Sequence, residues 1–209
     1  MIKKKREVLI IDYGMGNIYS LYNALKYLGA KVIISDDPSK IAKSKILMLP
    51  GVGSFKKAMH QIRKKKIDEA IYMANENGNF IFGICLGMQL FGLSSNEDGL
   101  TKGLGFISNK VIKFSAAEIK GKKIPHVGFN QVKYDKNNRL FKGLINNDYY
   151  FVHSYRMLQE KLCLNNSTTN YGVEFLSSFH HENLFATQFH PEKSQENGLK
   201  LLENFLNLT

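Results

Sequence analysis

The sequence predicts an α/β fold: a mainly parallel central sheet flanked by helices, with additional antiparallel strands in the C-terminal half. Three observations predict it. Over the first ninety residues, short apolar β-branched runs alternate with segments of helical spacing, the pattern of strand–helix–strand units. From Gly105 onward, strand-like runs follow one another directly. A final amphipathic segment then closes the chain.

Each element can be justified in order. Glu7–Ile11 is a β-branched run that reads as a buried strand, ending in the glycine-rich turn Asp12-Tyr-Gly-Met-Gly-Asn17. Residues 18–28 carry Leu21, Leu25 and Leu28 at helical spacing and stop at Gly29, a suitable C′ position. Strands follow at 31–34 and 46–49, separated by a turn at 35–39. The second breaks at Pro50-Gly-Val-Gly53, and one long helix is expected over 54–76, ended by Asn77-Gly78. Residues 80–84 are a fourth apolar strand, and Cys85 opens a helical run over 86–93. The later strands are expected at 106–114, 127–134, 149–154, 171–179 and 184–188, and the last helix at 195–208. No linker, repeat or low-complexity tract interrupts this order, so residues 1–209 read as one domain.

Composition narrows the function classes. With 209 residues, 44% hydrophobic and 22% charged, the chain can bury a core without disulfides or structural metal. Its two cysteines, Cys85 and Cys163, are too few for a secreted disulfide framework and read as reduced thiols. The first residues imitate a signal peptide, but the apolar run stops at Asp12, and no stretch reaches the length of a membrane span. A cytoplasmic protein with no membrane contact is expected. The net charge of +11 invites a nucleic-acid partner. However, the basic clusters at 3–6, 56–57, 63–66 and 120–123 are dispersed and lack interleaved aromatics. They read as solvated faces, suited to an acidic protein surface or a phosphorylated small molecule. No nucleic-acid partner, cofactor or metal site is expected.

The chemistry centres on Gly83-Ile-Cys85-Leu-Gly87, between an apolar strand and a helical run. This is the layout of a nucleophile elbow with Cys in place of Ser. A sharp strand-to-helix turn crowds the backbone around it, and only a missing Cβ relieves the crowding. The turn lifts the side chain out at the carboxyl end of the sheet, and the helix start favours thiolate over thiol. The Leu86 N–H, next after the nucleophile, is a natural oxyanion donor. A lone cysteine is more often a buried structural residue; inside this turn it reads as catalytic. A thiol nucleophile needs a base and an orienter. His190-Pro-Glu192 follows the 184–188 strand, and in an extended segment His190 and Glu192 project to one side. Pro191 biases His190 toward the extended region. Backbone N–H groups of Gly51, Val52 and Gly53 in the other turn could cradle an oxyanion. No Gly-Lys-Ser/Thr follows that turn, which excludes a P-loop.

These motifs, with Gly83-Ile-Cys-Leu-Gly-Met-Gln89, Pro125-His-Val-Gly-Phe-Asn130, Tyr150-Phe-Val-His-Ser-Tyr155 and Gln188-Phe-His-Pro-Glu-Lys-Ser194 in this order, make the chain resemble class I, triad-type glutamine amidotransferases. More narrowly it resembles the glutaminase subunits of imidazole glycerol phosphate synthase, of histidine biosynthesis. The resemblance runs from about Val8 to the C-terminus. It implies that Cys85 forms a γ-glutamyl thioester, that His190 moves the protons and that Glu192 orients His190. It implies that Gln89, Glu97 and the backbone at Ser154 and Tyr155 hold glutamine. It implies a separate TIM-barrel cyclase as heterodimer partner, which receives the ammonia through a tunnel and is faced by Asn17, Phe129, Tyr150 and Lys193.

Three positions depart from that family's usual pattern. Phe129 stands where it has Trp, Arg156 where it has Tyr, and Gly92 interrupts the run after the elbow. The first two leave open a paralogous glutaminase that feeds ammonia to a sugar-modifying partner in surface-polysaccharide biosynthesis. Further readings are a stand-alone γ-glutamyl hydrolase and a non-catalytic interaction protein. The first of these would act without a partner; the second would have no need of Cys, His and Glu together.

Overall fold

The computed structural model describes residues 6–144, 146–159 and 166–209. Cys163 lies outside the described residues, as does most of the basic cluster at the amino end.

The first half builds a parallel sheet. Strands β1 (Glu7–Ile11), β2 (Lys31–Ser35), β3 (Ile46–Gly51) and β4 (Phe80–Cys85) alternate with helices α1 (Ile18–Tyr27), α2 (Pro38–Lys43), α3 (Phe55–Lys64) and α4 (Ile67–Glu76). α1 exists because Leu21, Ala24 and Leu25 bury one stripe, and it ends where Gly29 takes φ 83°. Ser54 caps α3, its Oγ accepting from the Lys57 N–H at 3.3 Å. α2 begins inside the segment expected as a turn at 35–39. Its signal is local: Asp37 accepts from the Ser39 N–H at 2.9 Å and Pro38 takes the first helical position.

The single helix expected over 54–76 is two. Phe55, Ala58, Met59 and Ile62 form the buried stripe of α3; Ile67, Ala70, Ile71 and Ala74 form that of α4. Between Ile62 and Ile67 the helical phase slips and four cations stand in a row. Lys66 turns the chain with φ 57°, so each segment lays its own stripe on the sheet.

The second half supplies the short helix α5 (Leu86–Leu90), strands β5 (Ser94–Ser95), β6 (Thr101–Lys102), β7 (Lys110–Lys113), β8 (His126–Gln131), β9 (Lys133–Tyr134), β10 (Asp148–His153), β11 (Tyr155–Met157), β12 (Ser167–Asn170), β13 (Glu174–His181) and β14 (Leu184–Thr187), and helix α6 (Gln195–Leu208). The central sheet has the order β2-β1-β3-β4-β14-β13-β12-β9. It is parallel from β2 to β14 and antiparallel beyond. A second sheet, β11-β7-β5-β6, and a two-stranded ribbon, β10-β8, complete the fold. Of the runs expected at 106–114, 127–134, 149–154 and 171–179, the first shrinks to β7, the second is divided between β8 and β9, and the last two are met by β10 and β13 within a few residues. The second run falls across a sheet boundary: β8 pairs with β10 in the ribbon, and β9 with β12 in the central sheet.

Two apolar layers cover the central sheet. α3 and α4 pack Phe55, Met59 and Ile71 on one face; α1 and α6 pack Leu21, Leu25 and Phe205 on the other. Phe82, Phe185 and Phe205 meet at ring distances of 4.8 and 5.1 Å. Each such fully buried ring contributes about 1.5–3 kcal/mol. What this framework positions is a single rim, where β3, β4 and β14 end side by side.

Candidate active site

Register places the chemistry. Gly51 of β3 pairs with Cys85 of β4, and Ile84 pairs with Thr187 of β14. The Pro50–Gly53 turn, the cysteine and the segment leading to His190 thus leave three adjacent strands at one level. This is the carboxyl rim where α/β sites form.

Cys85 sits at φ 55°, ψ −108°, the strained geometry of an elbow. Its neighbours show why glycine flanks it. A Cβ on Gly87 would lie 1.7 Å from the Leu49 carbonyl oxygen, and one on Gly83 2.8 Å from the Gly87 backbone. The helix after the elbow is shorter than the 86–93 run expected. It ends at Leu90, because Gly92 passes the Asn109 carbonyl so closely that a Cβ would stand 2.7 Å from it.

His190 is buried and extended (φ −97°, ψ 98°). Its Nδ1 lies 2.8 Å from Glu192 Oε1. The expected extended His-Pro-Glu segment is instead a 3₁₀ turn over Pro191–Lys193. The contact survives because the turn folds Glu192 back under the ring. Both side chains are nearly sealed, 2% and 4% exposed. Burial opposes charge on His190, but the charge of nearby Cys85 and the charge and hydrogen bond of Glu192 outweigh it and hold its pKa up at about 10. His190 Nε2 has no hydrogen-bond partner among the described residues, which leaves it free for proton transfer.

In front of Cys85 opens a cavity of about 440 Å³. Val52, Gly53, Leu86, Gln89, Glu97, Ser154 and Tyr155, all expected from sequence, line it. Gly51 lies just behind, clamped under Tyr13, whose buried hydroxyl donates to the Pro50 carbonyl at 2.8 Å. Gln89 is oriented, its Nε2 donating to the Tyr155 carbonyl and to Gln188 Oε1, each at 2.9 Å. Its Oε1 is left for a ligand. Glu97 accepts from the Phe55 N–H at 2.7 Å with Oε2, and burial raises its pKa.

The four residues expected to face a partner divide. Phe129 and Tyr150 are paired across β8 and β10, with ring centroids 5.7 Å apart, and the Lys193 ammonium lies 5.9 Å from the Tyr150 ring. Asn17 stands apart from them on the loop before α1, its Nδ2 donating to Ser20 Oγ at 2.9 Å. Two residues to which the sequence assigns no role also belong to the site. Gln188, fully buried, reaches Cys85 Sγ with Nε2 at 3.7 Å, and His153 lines the cavity. Both stand inside motifs named above, but their partners lie 103 and 27 positions away.

A sheet that lifts a cysteine off one strand and a carboxylate-steered imidazole off the next defines a thiol-dependent acyl-transfer enzyme. The sequence narrows that class. Residues 9–208 match the profile of the family "Glutamine amidotransferase class-I". The chain is 43% identical over 201 residues to an imidazole glycerol phosphate synthase subunit HisH of Moorella thermoacetica, covering 96% of this chain and 94% of the relative. It is 44% identical over 200 residues to the HisH subunit of Sulfurimonas denitrificans, covering 95% and 96%. Among solved structures, PurLQS from Thermotoga maritima superposes with a TM-score of 0.75 at 19% identity, covering 98% of this chain and 99% of that one. A glutamine amidotransferase from the same organism gives 0.59 at 14%, covering 98% and 84%. The chain belongs to the class-I glutamine amidotransferase family, among the HisH subunits of imidazole glycerol phosphate synthase. It is a glutamine amidotransferase, and the surface-polysaccharide alternative is not favoured.

Proposed function

We propose that residues 1–209 act as one glutaminase domain with Cys85, His190 and Glu192 as its catalytic triad. The observation that carries this is the His190–Glu192 pair at 2.8 Å, just past the strand beside the Cys85 elbow. The Cys85 thiolate attacks the side-chain amide carbon of glutamine. The oxygen of the tetrahedral adduct accepts hydrogen bonds from the Leu86 N–H and the backbone of the Gly51–Val52–Gly53 turn. The C–N bond then breaks, and ammonia leaves with a proton from His190. Water attacks the resulting γ-glutamyl thioester, His190 takes its proton, and glutamate departs as the thiolate re-forms. Gln89 Oε1 and Glu97 hold the α-amino-acid end, together with the Ser154–Tyr155 backbone.

The ammonia goes to a separate protein, a TIM-barrel cyclase that completes imidazole glycerol phosphate synthase in histidine biosynthesis, in the cytoplasm. Asn17, Phe129, Tyr150 and Lys193 face that cyclase in a heterodimer, and ammonia passes between the active sites without entering bulk water. Among the described residues no helix is long and apolar enough to cross a membrane. The relatives' designation as subunits supports the two-chain arrangement.

The test is ammonia release from glutamine by the purified chain, alone and with the cyclase and its nucleotide ligand. Strong stimulation by the liganded cyclase is expected. Cys85→Ala should abolish release and leave the complex intact; retained turnover in that variant would remove the nucleophile assignment.

A further inference from the structure

Side chains of the β8–β10 ribbon alternate between two faces. Val127 and Phe129 are exposed on one face, while His126 is buried on the other, directly opposite His153 of β10. A continuous set of hydrogen bonds runs through the buried face. Asn130 Nδ2 lies 3.3 Å from His126 Nε2, His126 Nδ1 lies 3.1 Å from His153 Nε2, and His153 Nδ1 lies 2.8 Å from the Tyr155 carbonyl oxygen. That carbonyl is the one that also accepts from Gln89. The path therefore continues through Gln89 and Gln188 to the Cys85 sulfur.

The two ends fix its direction. Asn130 Oδ1 accepts from the Gln131 N–H at 2.8 Å, so the atom facing His126 is the amide nitrogen, which only donates. The Tyr155 carbonyl can only accept. Between these ends each ring accepts at Nε2 and donates at Nδ1, so both imidazoles are neutral and of one tautomer. Burial, with Lys122 nearby, brings the His126 pKa down to about 4. Burial, only partly offset by the Tyr155 carbonyl, brings that of His153 down to about 3. The His126 ring is held between Tyr171 and Phe151, at ring distances of 3.9 and 4.8 Å.

We propose that His126 is a positioning residue for glutamine binding: its Nδ1–H locks His153 in the Nδ1–H tautomer, which anchors the Tyr155 carbonyl and thereby orients Gln89. His126 itself does not line the cavity; His153 does. Remove the His126 proton and His153 Nε2 becomes a buried acceptor without a donor. The ring then gains by turning Nε2 toward another donor, which draws Nδ1–H off the Tyr155 oxygen and releases that carbonyl.

The inference rests on the glutaminase reading for its kinetic part alone. Nitrogen NMR of histidine-labelled wild-type protein should find Nδ1 protonated and Nε2 bare in both rings, without titration between pH 5 and 8. A His153 protonated at Nε2 overturns the proposal. In the complex with the cyclase, His126→Phe keeps the stacked ring and removes the donor. It should raise the glutamine KM about tenfold or more, with kcat within about threefold and partner affinity unchanged. His126→Asn can place an amide N–H where Nδ1 was, and should bring KM back to within about threefold of wild type. An unchanged KM in His126→Phe, or no recovery in His126→Asn, overturns the assignment. A wild-type complex that releases no ammonia refutes the glutaminase reading instead, before any variant is compared.

Discussion

In the proposed mechanism Glu192 acts on the reaction only through His190, with which it shares a nearly sealed environment. Glu192→Gln preserves shape but offers an amide where the imidazolium needs a carboxylate. A loss of about 10²–10⁴-fold in kcat/KM is expected, read from initial rates of glutamate formation with the circular dichroism spectrum unchanged. The same pair affects stability. The folded pKa of His190, about 10, lies above that of the unfolded chain, so its contribution is complete below pH 6.5 or so and vanishes as pH rises toward 10. The difference in urea midpoint between wild type and Glu192→Gln should therefore be largest in mild acid and shrink on the alkaline side. At this scale the sequence was informative where residues sit in a compact motif: the elbow glycines announce Cys85, and the His-Pro-Glu run announces its partners. Gln188 and His153 were silent because a hydrogen bond across strands leaves no trace in linear spacing.

Elements are decided by close approach and by phase. The elbow helix comes so near β3 that Gly87→Ala would drive a methyl group into the Leu49 carbonyl. This substitution is expected to destabilise by about 3 kcal/mol, lowering the thermal midpoint by several degrees. At the α3–α4 break the opposite change is favourable. Lys66 is exposed and holds φ 57°, a conformation that glycine adopts without its Cβ penalty. Lys66→Gly should gain about 1 kcal/mol in chemical denaturation with activity untouched. That break was present in the sequence as a slip in the apolar repeat between Ile62 and Ile67, but the strength of each flanking helix hid it. The divided strands of the second half were hidden for another reason: alternation shows that a residue pair belongs to some sheet, not which neighbour it joins.

Over the whole molecule, the exposed face and the reacting face are joined through backbone. The Tyr150 carbonyl accepts from the His190 N–H at 2.9 Å, and its own N–H donates to Ser194 Oγ at 3.0 Å. Ser194 Oγ in turn donates to the His190 carbonyl at 2.6 Å. The strand that presents Tyr150 thus carries the turn that presents the base. Tyr150→Ala removes the centre of the Phe129–Tyr150–Lys193 patch while keeping these backbone bonds. It should weaken the proposed complex with the cyclase by about tenfold or more, measured by calorimetry, with little change in the melting temperature of the isolated chain. The parallel core was legible because each of its strands is a continuous apolar run, whereas the four residues expected to face a partner came from the resemblance. Their division into a cluster of three and a separate Asn17 was not legible, since it depends on how β8 pairs with β10.

That ribbon has a consequence for how such a gene can change. Its two faces are assigned by parity alone: odd positions from Val127 to Phe129 look outward, and even positions from His126 to Asn130 look inward. A substitution alters one face. A single-codon insertion or deletion between His126 and Phe129 breaks that parity and puts the imidazole and the exposed phenylalanine on the same face. Lineages carrying this fold should therefore accept point replacements along β8 more readily than a change in its length, with length variation confined to the turns at its ends.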